Sequence, residues 1–73
     1  MLGSVTRLVK KEGWGFILGE DGCEVYFDLT STNGLDARKL SVGEWVEYEI
    51  SYAGARLQAQ NVRPVLSLHA RKG

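Results

Sequence analysis

The 73-residue chain has one cysteine, one histidine, one proline and no net charge. Each scarcity excludes something. Cys23 alone can close no internal disulfide and cannot build a zinc site, so a reducing cytoplasm is the expected compartment. The single histidine, His69, lies close to the C-terminus with no Cys, His or carboxylate cluster around it in sequence, and no role is assigned to it. Without a Ser/His/Asp or Cys/His constellation, and with no glycine-rich loop opening a helix, the chain offers no catalytic residues and no metal or cofactor site. The carboxylates of Glu20-Asp21 and of Glu47 and Glu49 read as turn and surface groups. Nine basic residues balance nine acidic ones. That argues against gripping duplex DNA through a broad basic patch, while leaving room for a small positive face. No apolar run approaches the roughly 18 residues that span a bilayer, no signal pattern opens the chain, and Met1 reads as a start. One small domain is expected, monomeric and without a membrane partner.

Aromatics and glycines are present, and they are interleaved. In Glu12-Gly13-Trp14-Gly15-Phe16-Ile17-Leu18, strand alternation puts Trp14, Phe16 and Leu18 on one face, and Gly15 and Ile17 on the other. The aromatic face is backed by a glycine, which contributes little to a core. Two readings stand. The rings are displayed outward for bases to stack on, or they are core and the glycines mark bulges.

Residues 3–11 read as a first strand, with an irregularity at Leu8-Val9 that suggests a bulge or a change of face. Lys10-Lys11-Glu12-Gly13 and Gly19-Glu20-Asp21-Gly22 read as hairpin turns on either side of the strand 14–18. A third strand over 23–29 places Val25 with Phe27, and Tyr26 with Asp28. Residues 30–34 interrupt the sheet and 35–40 allow a helical turn. After a turn at Val42-Gly43-Glu44, residues 45–52 alternate cleanly, with Val46, Tyr48 and Ile50 opposite Trp45, Glu47, Glu49 and Ser51. Ala53-Gly54-Ala55 turns the chain into a fifth strand over 56–62, which ends at Pro64. The expected organisation is a domain over 1–64 followed by a basic, flexible tail over 65–73. Short strands with close turns imply an all-β barrel or sandwich, and closure is favoured because an open sheet this small would expose two edges.

The order of features resembles the cold-shock domain. Gly13-Trp14-Gly15-Phe16-Ile17 is similar to that family's first ribonucleoprotein motif, and Val25-Tyr26-Phe27-Asp28-Leu29 to its second. Gly3-Ser4-Val5, Leu40-Ser41-Val42-Gly43-Glu44-Trp45-Val46 and Gln58-Ala59-Gln60-Asn61-Val62 resemble its opening, its pre-fourth-strand and its closing segments. The resemblance implies a small five-stranded antiparallel oligonucleotide-binding barrel. It implies binding of single-stranded RNA or DNA on the face of the first three strands, with low sequence specificity and RNA-chaperone-like capture of unpaired bases. The stacking positions it implies are Trp14, Phe16 and Tyr26. Arg7, Lys10, Lys11 and Arg56 are placed to contact phosphates or base edges.

Departures from the family pattern are concentrated at the same face. Thr6-Arg7-Leu8 stands where the family has Lys-Trp-Phe, Glu12 stands where it has a basic residue, and Asp28-Leu29 where it has His-Phe. Each lost ring removes roughly 1–3 kcal/mol of stacking. The guanidinium of Arg7 offers partial compensation. Asp28 either repels the polyanion or accepts a hydrogen bond from a base amino group. An alternative function follows from these departures: a barrel that has drifted toward a protein or ribonucleoprotein partner, with weak or lost nucleic-acid binding.

Overall fold

The computed structural model describes residues 1–32, 39–54 and 56–65. Five strands, β1 (Leu2–Val9), β2 (Trp14–Gly19), β3 (Glu24–Asp28), β4 (Trp45–Ala53) and β5 (Arg56–Pro64), close into a barrel in the order β1-β2-β3-β5-β4. β1 pairs antiparallel with both β2 and β4, and β2 with β3 and β4 with β5 are antiparallel neighbours. The remaining seam, β3 to β5, is parallel and short: Tyr26 faces Gln58 and Phe27 faces Ala59. A 3-10 turn at Leu29–Ser31 follows β3.

Alternation governs what each strand buries. Ile17, Val25, Phe27, Val46 and Tyr48 are essentially inaccessible and share one interior with Val5, Leu40, Ala59 and Val62. The reading of β4 holds, with Val46 and Tyr48 buried and Ile50 packed against them while Trp45 and Glu49 lie outside. Strand boundaries shift by at most two residues from the expected ones. β1 stops at Val9, β3 gives way to the turn at Leu29, and β5 runs on to Pro64, which pairs with Val46. Val65 is buried, so the barrel reaches one residue beyond the expected boundary at 64. Most of the helical turn expected over 35–40, and the tail 66–73 with His69, lie outside the described residues.

The first-strand irregularity exists but sits earlier than expected. The β1–β2 register slips between Val5 and Arg7, leaving Thr6 as the extra residue. One extra residue reverses the facing of everything after it. Val5 points inward, Thr6 and Arg7 are both exposed, and Leu8 turns in against the core. Leu8 therefore lies opposite the inward-facing Gly15, and Arg7 opposite the outward-facing Phe16. Here the glycine is obligatory: a Cβ at position 15 would meet the Arg7 carbonyl oxygen at 2.5 Å and the Phe27 ring at 3.0 Å. A second slip, between Glu47 and Glu49, is accommodated by Asn61 at φ 55°, a backbone conformation that asparagine tolerates better than most residues. Asn61 Nδ2 donates to Glu49 at 3.0 Å, and Arg63 donates to the Asn61 carbonyl at 2.8 Å.

Inside the barrel, the Tyr48 hydroxyl approaches Gly19 so closely that a Cβ there would lie 2.5 Å from it. Among the described residues this buried hydroxyl has no hydrogen-bond partner. Burial pushes the phenol above its ordinary value of 10.0, and the nearby Asp21, Cys23 and Glu20 push the same way.

Candidate nucleic-acid interface

The outer face of β2 and β3 is built by the alternation that fills the core. With Gly15 and Ile17 inside, Trp14 and Phe16 must face out; with Val25 and Phe27 inside, Tyr26 must. Phe16 pairs across the strands with Tyr26, and Trp14 with Asp28. The three rings form a compact triangle. Trp14 and Phe16 meet edge to face at 5.7 Å, Phe16 and Tyr26 at 6.1 Å, and Trp14 and Tyr26 lie 6.2 Å apart with their planes 28° from parallel. All three are half-buried. The reading of these rings as core is therefore replaced by a surface cluster.

Two arginines flank the triangle. The Arg7 guanidinium lies 5.4 Å from the Trp14 ring centre and the Arg56 guanidinium 5.0 Å from that of Tyr26. Arg7 reaches its ring because the bulge at Thr6 turned it outward. Lys10 and Lys11 are exposed on the β1–β2 turn that leads into Trp14. Arg7 and Arg56 thus bring positive charge to the rings, although the chain carries no net charge.

Both acidic departures have structural work. The Trp14 indole nitrogen donates to Glu12 at 3.1 Å, which fixes the ring from the turn. Asp28 caps the 3-10 turn: one carboxylate oxygen accepts from the Thr30 amide at 2.9 Å and from the Thr30 hydroxyl at 2.8 Å. These two bonds, the backbone one foremost, hold the Asp28 carboxyl below its ordinary 3.8. Asp28 stands at the edge of the cluster with that oxygen engaged by the protein itself.

A groove of about 380 Å³ runs along the cluster, lined by Trp14, Phe16, Glu24, Tyr26, Arg56 and Leu57. Sequence reasoning did not single out Glu24 or Leu57. Glu24 was legible in principle, since it lies two residues before Tyr26 on the same face; its carboxylate accepts from Thr6 Oγ1 at 3.1 Å. Leu57 carried no local signal, because it reaches the groove only through the parallel seam between β3 and β5. Leu8 and Leu29, at two positions where the family has rings, pack against the core instead.

The model of the 'Cold-shock' DNA-binding domain matches residues 1–65. The chain belongs to the cold-shock domain family. It is similar to the Cold shock-like protein CspA of Stigmatella aurantiaca (strain DW4/3-1), with 38% identity over 64 residues that cover 86% of this chain and 94% of the relative. Among solved structures it is similar to drosophila Unr CSD456, with a TM-score of 0.67 and 25% identity over 88% of this chain; it spans about a quarter, 26%, of that longer chain. Cold-shock domains bind single-stranded nucleic acid and in general are not enzymes. Among the described residues no helix is long and apolar enough to cross a membrane, and no cluster of three His, Cys, Asp or Glu side chains is placed to hold a metal ion.

Proposed function

We propose that this cold-shock domain binds single-stranded RNA with low sequence specificity, by stacking unpaired bases on Trp14, Phe16 and Tyr26. It acts in the cytoplasm, as a monomer, holding weakly paired RNA open as a chaperone does. The observation that supports this reading is the ring triangle along an open groove, with one arginine over Trp14 and another over Tyr26. Every base has a π-face, so such a surface captures bases without reading their edges. Arg7, Lys10, Lys11 and Arg56 meet the phosphates. The groove is entered from solvent, and nothing about capture by stacking requires a cofactor or a bond to break.

Tryptophan fluorescence tests the reading. A Trp45→Phe variant leaves Trp14 as the sole tryptophan, and Trp45 is 46% exposed, so the fold tolerates the change. Titration with short pyrimidine RNA and DNA is expected to quench Trp14 saturably, less at higher salt, and with RNA favoured. A flat signal from folded protein at strand concentrations up to about 100 μM, the weak end of the range of typical non-specific binding, would sink it. The reading left standing would then be a barrel that docks a protein or ribonucleoprotein partner.

A further inference from the structure

The groove continues past the ring cluster. Its far wall is formed by Arg56 and Leu57, the first residues of β5. On the other side of β5, Leu57 pairs with Tyr52 of β4. Directly paired residues place their Cβ atoms about 4.5–5.5 Å apart on one face, so Tyr52 flanks Leu57. Tyr52 is 73% exposed, the most open large apolar side chain among the described residues.

Strand parity explains this exposure. Tyr52 is in step with Val46, Tyr48 and Ile50, which point into the barrel. By Tyr52 the interior has ended, and the direction that buries Tyr48 carries Tyr52 past the barrel's mouth. A single exposed aromatic is ordinary. Position is what distinguishes this one. Tyr26 faces Gln58, and Gln58 faces Ser51, the residue before Tyr52. The β4 backbone here thus lies two strand spacings from β3, about 10 Å, and Leu57, which packs against the core on Tyr52's side of the sheet, also lines the groove at the barrel's edge. The intervening strand also supplies the Arg56 guanidinium, 5.0 Å from the Tyr26 ring centre.

We infer that Tyr52 is a further base-stacking position, reached by a single strand that leaves Tyr26 on the outer face, meets Arg56 with a phosphate and turns over the barrel's mouth past Leu57, which shares Tyr52's face. The inference rests on the platform reading above and adds a fourth ring on a different pair of strands.

A length series separates the two. In the Trp45→Phe background, Trp14 quenching is followed with oligo-deoxythymidine of four and of seven nucleotides at one low salt concentration. Tyr52→Ala is expected to leave the four-nucleotide affinity near that of the parent. It is expected to weaken the seven-nucleotide affinity between about fivefold and a hundredfold, the loss of one stacked base. Tyr52→Phe, which keeps the ring, is expected to restore it. Unchanged affinity for both lengths would overturn the fourth ring and leave the platform intact. An equal loss at both lengths would also overturn it, since it would trace to the fold or to the platform. Absence of quenching in the parent with either strand would overturn both readings together.

Discussion

Glu12 accepts the indole N–H of Trp14 at 3.1 Å, so the residue that brings a negative charge to the binding face also orients its largest ring. The two effects separate by substitution. Glu12→Gln keeps an acceptor and removes the charge, and is expected to bind single strands more tightly than the parent, with the gain shrinking as salt rises. Glu12→Ala removes both and is expected to bind less tightly than Glu12→Gln, because the ring must then be ordered on binding. Equal affinities for the two variants would show that the indole bond contributes nothing to preorganisation.

Truncating a ring outside the barrel and one inside it should have opposite consequences. Trp14→Ala is expected to lower affinity by roughly 1–3 kcal/mol while the urea midpoint moves little. Phe27→Ala is expected to cost about 3–5 kcal/mol of stability, a large share of what a domain this small possesses. Urea titrations beside oligonucleotide titrations check the pair. A large stability loss for Trp14→Ala with unchanged affinity would return that ring to a structural role.

The cations around the cluster predict a modest salt dependence. For single strands the logarithm of affinity falls with the logarithm of salt by about 0.7 for each neutralised phosphate. With Arg7, Lys10, Lys11 and Arg56 all engaged, the slope should be no steeper than about −3. Replacing Lys11 by Gln should flatten it by about 0.7 at nearly constant stability. A slope near zero in a protein that still binds would point to contacts made without phosphates.

The Tyr48 hydroxyl, buried with no partner among the described residues, marks a liability in the core. Tyr48→Phe removes the unpaired group and is expected to stabilise the domain by about 1 kcal/mol, seen as a melting temperature several degrees higher. The same burial sets a pH dependence. The phenol's folded pKa lies above its unfolded value of 10.0. Below pH 10 the phenol is neutral in both states and stability is unaffected. Above it the unfolded chain ionises first, and stability falls as pH rises. That alkaline slope should be shallower in Tyr48→Phe; an identical slope in both proteins would remove Tyr48 as its source.

Asp28 sets the opposite limit. Its bonds to Thr30 lower its folded pKa, so the stabilisation is present above the ordinary value of 3.8 and disappears as pH falls through the folded value. Asp28→Ala is expected to be less stable than the parent at neutral pH and to lose less on acidification. Equal acid sensitivity in denaturant midpoints would count against the cap.

Much of this architecture was legible because strands declare their faces. Gly15 and Ile17 against Trp14 and Phe16, and Phe27 against Tyr26, are local alternations, and they carried the interior and the ring cluster together. Turn chemistry located the hairpins for the same local reason. What escaped was non-local. The slip at Thr6 is a property of pairing between β1 and β2, and no residue in β1 announces it; the misplacement to Leu8-Val9 came from reading one strand without its neighbour. Leu57 in the groove depends on β5 meeting β3, more than twenty residues away along the chain. Glu12 and Asp28 were counted by their charge, while their actual partners, an indole N–H and a threonine, are set by three-dimensional placement.

The parallel seam between β3 and β5 bears on how the domain moves. Only Tyr26 with Gln58 and Phe27 with Ala59 join these strands, against three pairs between β1 and β4 and longer antiparallel ladders at the other seams. The barrel's one parallel seam between strands is thus also its thinnest, and it is the natural place for the barrel to unzip. Its amides should be among the first to exchange with deuterium from sheet positions. The groove straddles this joint, with Tyr26 on one lip and Arg56 and Leu57 on the other. A bound strand would therefore act as a clasp, slowing exchange at Phe27 and Ala59, whose side chains never touch it.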